Sequence, residues 1–166
     1  MKIKNILSAL ALSALLLAGA PASAQQPAAP HEGTSAEMPW FIPLSYNGFN
    51  FDIPAGSIVE KGSTILVKYP DGSFGLSITN VESEGGGQQG AFLTCRKLAS
   101  QLKLDNQVVK KETIGGVDGA IAKGTLEGRE VTVIILPVSG QETTMVMMAT
   151  PNRQAWADHF RQSISR

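Results

Sequence analysis

"REVTVIILPVSGQETTMVMMA", residues 129–149, is the stretch whose reading decides the fold. In its first half Val131, Val133 and Ile135 point to one side of an extended chain, while Ile134 and Leu136 point to the other. In its second half, residues 145–149 (Met, Val, Met, Met, Ala) are apolar on both parities. A strand that is apolar on both sides is buried on both sides. These two runs therefore read as the centre of a sheet with a covering layer on each face. The short break "SGQ" between them makes the pair antiparallel.

Outward from this centre the punctuation is regular. "QVVKKETI" (107–114) and "VDGAIAKGTLEG" (117–128) are further extended runs, separated by "GG" and closed by "EGR". Upstream, "STILVKYPDGSFGLSITNV" (63–81) reads as a hairpin turning at "PDG", where Pro presets φ and Gly accepts a positive φ. Ile65, Val67 and Tyr69 share one face of its first strand, and Phe74, Leu76 and Ile78 share one face of its second. In "NGFNFDIPAG" (47–56), Phe49, Phe51 and Ile53 alternate with polar residues until Pro54 and Gly56 stop the run. The expected order is three strands, a helix, four strands and a terminal helix. That is an α+β fold with a central, mainly antiparallel sheet of about six to seven strands and helices packed on both faces.

Two helical segments supply the cover. In "TPNRQAWADHFRQSIS" (150–165), Thr150 is placed as N-cap and Pro151 in the first helical position. Trp156, Phe160 and Ile164 fall on one stripe with Ala157 beside them. His159 sits on the flank next to Asp158; sequence neighbours on a helix do not face each other, so it reads as part of a solvated polar flank. In "GGGQQGAFLTCRKLASQL" (85–102), Ala91, Phe92, Leu98, Ala99 and Leu102 share a stripe centred on Cys95, the only cysteine of the chain, with Arg96 and Lys97 outside it. A reactive thiol needs exposure and a positive surrounding. This one reads as a small apolar core residue.

The glycines before that helix match G-x-G-x-x-G through Gly85, Gly87 and Gly90. The strand before them belongs to a hairpin and no βαβ unit follows, which removes the context a dinucleotide site needs. A phosphate loop would need Lys and Ser or Thr where Ala91 and Phe92 stand. The glycines read as a mobile connection from strand to helix. Glu82, Glu84, Glu112, Glu127, Glu130 and Glu142 mostly flank turns, where solvated carboxylates are the default. Met145 and Met147 read as core. No catalytic group, cofactor site or metal-ligand set is expected, and Cys95, Leu98, Leu102, Trp156 and Phe160 are placed as core markers.

The chain opens "MKIKNILSALALSALLLAGAPASAQQ", with Lys2 and Lys4, an apolar stretch and small residues in the order of a secretory signal peptide cut between Ala24 and Gln25. The apolar stretch is shorter than the roughly 20 residues a membrane span needs, and no cysteine near the cut offers a lipidation site. Residues 25–39, rich in Pro and Ala, read as a flexible leader, in which His31 and Glu32 have no assigned role. Residues 40–166 form one domain. Without Lys2 and Lys4 the remainder is slightly acidic and has no long run of either sign, which argues against nucleic acid. The expectation is a periplasmic or secreted protein with no transmembrane segment after the cut.

"GFNFDIPAG", "LASQLKL", "ETIGGVDGAIAKGTLEGREVTVIILP" and "TPNRQAWADHFRQSI" together resemble the Mog1/PsbP-like domains, including the exported bacterial branch typified by DcrB-like proteins. The similarity spans about residues 45–165; the chain departs from it at Ser57 and Ile58, where a Trp often follows the opening "P-x-G". The resemblance implies an antiparallel sheet with helices on both faces. It also implies binding or assembly factors without shared catalytic residues: one branch binds a small GTPase, one docks on a photosystem, one chaperones secretion effectors. The expected function is an exported, non-catalytic module whose partner is another protein at the cell envelope. The alternatives are a thiol-dependent enzyme or redox factor using Cys95, and a carrier of an apolar ligand between helix and sheet.

Overall fold

The computed structural model describes residues 40–83 and 85–166. The signal and leader segments, with Ala24, Gln25, His31 and Glu32, and also Glu84, lie outside the described residues. Within them the elements run β1 (Phe41–Tyr46), β2 (Phe49–Pro54), β3 (Ile58–Lys61), β4 (Thr64–Lys68), β5 (Phe74–Glu82), α1 (Gly87–Gln101), β6 (Asp105–Ile114), β7 (Val117–Leu126), β8 (Arg129–Val138), β9 (Gln141–Ala149) and α2 (Gln154–Ser163). Seven strands form one sheet in the order β3-β4-β5-β9-β8-β7-β6, and every pairing in it is antiparallel. β1 and β2 form a separate two-stranded sheet.

The two-sided pattern of β8 and β9 divides the interior into two layers. Ile134, Leu136, Met145 and Met147 face a first core with Phe49, Phe51 and Ile53 of β2, the hairpin residues Ile65, Val67, Phe74, Leu76 and Ile78, and Trp156 and Phe160 of α2. Val131, Val133, Ile135, Val146 and Met148 face a second core with Ala91, Cys95, Leu98 and Ala99 of α1. The fold is the α+β sandwich read from apolar parity.

Two strands arise where none is expected, and one expected strand lies elsewhere. β2 leaves the main sheet because Asn47 and Gly48, both at positive φ, fold it back on β1. β3 is a four-residue edge strand with only Val59 partly buried, so it carries no alternation to read. The terminal helix also begins later than expected. Pro151–Arg153 is a 3-10 turn, and the Thr150 hydroxyl donates to Asn152 Oδ1 (2.6 Å) instead of capping the helix.

The β1–β2 hairpin is fastened on two sides close to its turn. At its turn, the Asn47 amide donates to Asn80 Oδ1 (3.1 Å) and Thr143 Oγ1 (3.0 Å) on the main sheet. At its other side, Asn50 and Ser165 exchange backbone hydrogen bonds of 2.8 and 2.9 Å beyond the end of α2. α2 is tied in turn to the β6 edge: Arg161 Nη1 donates to Glu112 Oε1 (2.9 Å), and Lys110 Nζ lies 2.7 Å from Oε2. Glu112 is thus ion-paired and mostly covered, not a solvated turn carboxylate.

The hydrogen bond from Lys110 holds the Glu112 carboxyl below its ordinary value, outweighing partial burial, with the charges of Lys110 and Arg161 adding to it. A carboxyl lowered on folding stabilises above its unfolded value and loses that contribution as pH falls through its folded one. Glu112→Gln is therefore expected to flatten the fall in urea stability between about pH 5 and pH 3; a slope equal to wild type would refute the tie. Gly119, on β7, has no room for a side chain, since a Cβ there would meet the Ile135 carbonyl oxygen and lie 2.8 Å from Leu136 Cδ2. Gly119→Ala is expected to cost about 1–3 kcal/mol by chemical denaturation.

Candidate functional site

The glycine-rich stretch borders a groove on the surface of the molecule. α1 begins at Gly87, so only Gly85 and Gly86 belong to the connection and Gly90 lies in the helix's first turns. This corrects the expectation of a glycine linker: Gly90 packs so tightly that a Cβ there would lie 3.0 Å from the Gly85 carbonyl carbon and 3.3 Å from Glu142 Oε1. Glu142 is wholly buried. It accepts a hydrogen bond from Ser83 Oγ (3.1 Å), and Ser83 Oγ accepts one from the Gly86 N–H (2.9 Å).

This arrangement answers what the helix start does. The first turn of α1 has no acidic residue and no side-chain cap, and a helix start carries a partial positive charge. Glu142 brings a carboxylate from β9 to that end. The anion beside the glycines is the chain's own, and the G-x-G-x-x-G match follows β5, which is antiparallel to both of its neighbours. Expecting Glu142 among solvated turn carboxylates was wrong, for a reason visible in the sequence. It shares its strand parity with Thr144, Val146 and Met148, which all face the second core or its margin.

Beside this cluster lies a groove of about 530 Å³ lined by Ser83, Gly86, Gly87 and Gln88, by Gly116–Asp118, by Pro137–Gln141 and by Arg166. Its walls are the loop before α1 and the β6–β7 and β8–β9 turns. Gly115, at φ +58°, packs with its Cα against the residue after α2, where a Cβ would lie 2.7 Å from the Ile164 carbonyl oxygen. That close approach brings Arg166 to the groove.

The sequence-derived candidates lie elsewhere. Cys95 is fully buried under α1, with Sγ 3.7 Å from the Val133 carbonyl oxygen. Burial, and after it the charge of Glu142, push its thiol up to about 12. Leu98, Trp156 and Phe160 are buried and Leu102 partly so. Met145 and Met147 pack opposite Ile78 and Leu76.

His159 sits on the flank of α2, about a third exposed, but it is not without partners there. Its Nε2 lies 3.1 Å from Asp52 Oδ2, and its ring stacks on Phe41 at 3.8 Å. Periodicity on one helix could not reveal a partner on β2. Ser163 is close by, but its Oγ accepts the Asp52 N–H (2.8 Å) and donates to the Phe160 carbonyl (2.8 Å). A hydroxyl committed in this way is not poised as a nucleophile; the three residues fasten α2 to the hairpin. Among the described residues no three His, Cys, Asp or Glu side chains converge as metal ligands, and no helix is long and apolar enough to cross a membrane.

No family model and no curated protein matches the chain. Among solved structures it is similar to cyanobacterial PsbP (CyanoP) from Synechocystis sp. PCC 6803, with 13% identity over 81% of this chain and 96% of that one and a TM-score of 0.52. LpqN of Mycobacterium tuberculosis, described as involved in cell envelope biogenesis, has 12% identity over 76% of this chain and 90% of that one, with a TM-score of 0.42. A Bacteroides thetaiotaomicron protein has 16% identity over 71% of this chain and 45% of that one, with a TM-score of 0.46. The likeness to CyanoP is one of fold: this chain is an α+β sandwich similar to that of CyanoP.

The placement of Cys95 has a direct check. A thiol reagent near neutral pH is expected to leave the native protein unlabelled and to modify Cys95 stoichiometrically in denaturant. Rapid native labelling would overturn its sealed position.

Proposed function

We propose that this protein is an exported, non-catalytic accessory module that binds another polypeptide at the cell envelope, with the groove beside α1 as the docking site. The observation that carries the reading is the groove, where four separate segments of the chain converge. Its volume suits a few side chains of a partner. Much of its lining is turn backbone, which offers N–H and C=O groups to an extended peptide. The side chains best suited to chemistry are committed elsewhere, Cys95 beneath α1 and His159 to Asp52. A fold similar to that of CyanoP agrees with an accessory role. A thiol-dependent activity is disfavoured by the depth of Cys95, and an apolar carrier by the packing of Met145 and Met147 against Ile78 and Leu76.

Site-specific photo-crosslinking in the source cell tests this. A photoreactive residue at Gln88 or Gln141 is expected to give the same discrete protein adduct, and one at Asn152, at the other end of β9, none. Absence of an adduct from both groove positions, or an equal yield from Asn152, would refute the groove as the docking site.

A further inference from the structure

The charges around the groove point to the kind of group it receives, an inference that rests on the groove being the docking site. Glu142 is wholly buried and Oε1 has one hydrogen bond, from Ser83. Its Oε2 has no hydrogen-bond partner among the described residues, and neither has the buried Thr144 Oγ1 two positions along the same side of β9. Removing a carboxylate from water is costly unless it is paired. The helix start opposes it with only about half a unit charge, so negative charge is left over behind the groove wall.

That wall is thin. Ser83 both lines the groove and donates to the carboxylate, and the neighbouring lining residues Gly86 and Gly87 have no side chains. Glu142 itself does not line the groove, but it lies one hydrogen bond (3.1 Å) behind the lining hydroxyl of Ser83, so its field reaches the groove through that residue. Asp118 adds a second carboxylate to the lining, steadied by the Thr113 hydroxyl at 2.6 Å. Among the described residues of the lining, Arg166 carries the opposite sign. Glu142 and Asp118 together exceed it by one negative charge. An anionic ligand at the α1 start would meet a position that the chain's own carboxylate already serves.

We infer that the groove recognises a cationic side chain, lysine or arginine, of the partner polypeptide, with Glu142 as the buried counter-charge and Asp118 as the contact at the rim. The probe is a tetralysine peptide titrated into the whole protein while the backbone amides of Gly86, Gly87, Gly116 and Gly140 are followed by NMR, with tetraglutamate as the opposite-charge control. Tetralysine is expected to shift these amides and tetraglutamate to leave them in place. Glu142→Gln, which keeps the shape of the side chain, is expected to weaken tetralysine binding about tenfold, and Asp118→Asn, at an exposed position, about threefold.

Shifts caused by tetraglutamate, or wild-type affinity for tetralysine in a folded Glu142→Gln or Asp118→Asn protein, would overturn the inference. Should Glu142→Gln fail to fold, Asp118→Asn and the tetraglutamate control still decide. The two readings fail separately. A partner adduct at Gln88 that persists undiminished in both variants would overturn cation recognition and leave the groove as a docking site. Loss of the adduct in the unmodified chain would remove the site itself.

Discussion

The rest of the architecture follows from the need to cover two adjacent strands on both sides. β8 and β9 carry large apolar residues on each parity, and an uncovered face would leave several of them in water at roughly 1.5–3 kcal/mol each. One side is met by α1, whose stripe of small residues around Cys95 lets the helix lie close to Val133 and Ile135. The other is met by two pieces side by side, the β1–β2 hairpin and α2. Neither piece is wide enough alone. The cross-ties from Asn47 to the sheet, Asp52 to His159 and Asn50 to Ser165 are what make them a single lid.

The same geometry explains why one end of the sheet differs from the other. Along the α1-facing column of β9 the residues change from Met148 and Val146 to Thr144 and Glu142 as the strand approaches the β8–β9 turn. The layer under the helix start is therefore polar, whereas the layer under its middle is dry. A carboxylate at that point serves the helix, explains the glycine at position 90 and raises the thiol of Cys95 further. The PsbP-like likeness concerns the sandwich; the polar end of this chain is described by its own residues.

Much of this was legible from residue order because strand parity and helical stripes are local patterns with long-range meaning. The centre of the sheet, the "PDG" hairpin and the apolar stripe of α2 all announce themselves in the spacing of large side chains. What escaped depends on partners distant in sequence. β3 is mostly exposed and β1 only half covered, so their alternation is faint, and the departure of β2 from the main sheet rests on its pairing with β1. His159 acquires its role from Asp52 and Phe41, more than a hundred residues away. Glu142 was within reach: the parity that placed Val146 and Met148 inside places it inside too, but its nearness to a turn and its charge favoured a solvated reading.

The lid over the first core also dictates an order of events. Its hairpin comes from the start of the described chain and its helix from the end, and the backbone seam at Asn50 and Ser165 joins residues more than a hundred positions apart. The layer can therefore close only after residue 165 has been made, and until then Phe49, Phe51 and Ile53 lack the aromatic neighbour Phe160 that they have when folded. The first core is thus the part of the molecule whose completion waits on the most distant stretches of chain, whereas the layer under α1 is built from residues closer in sequence.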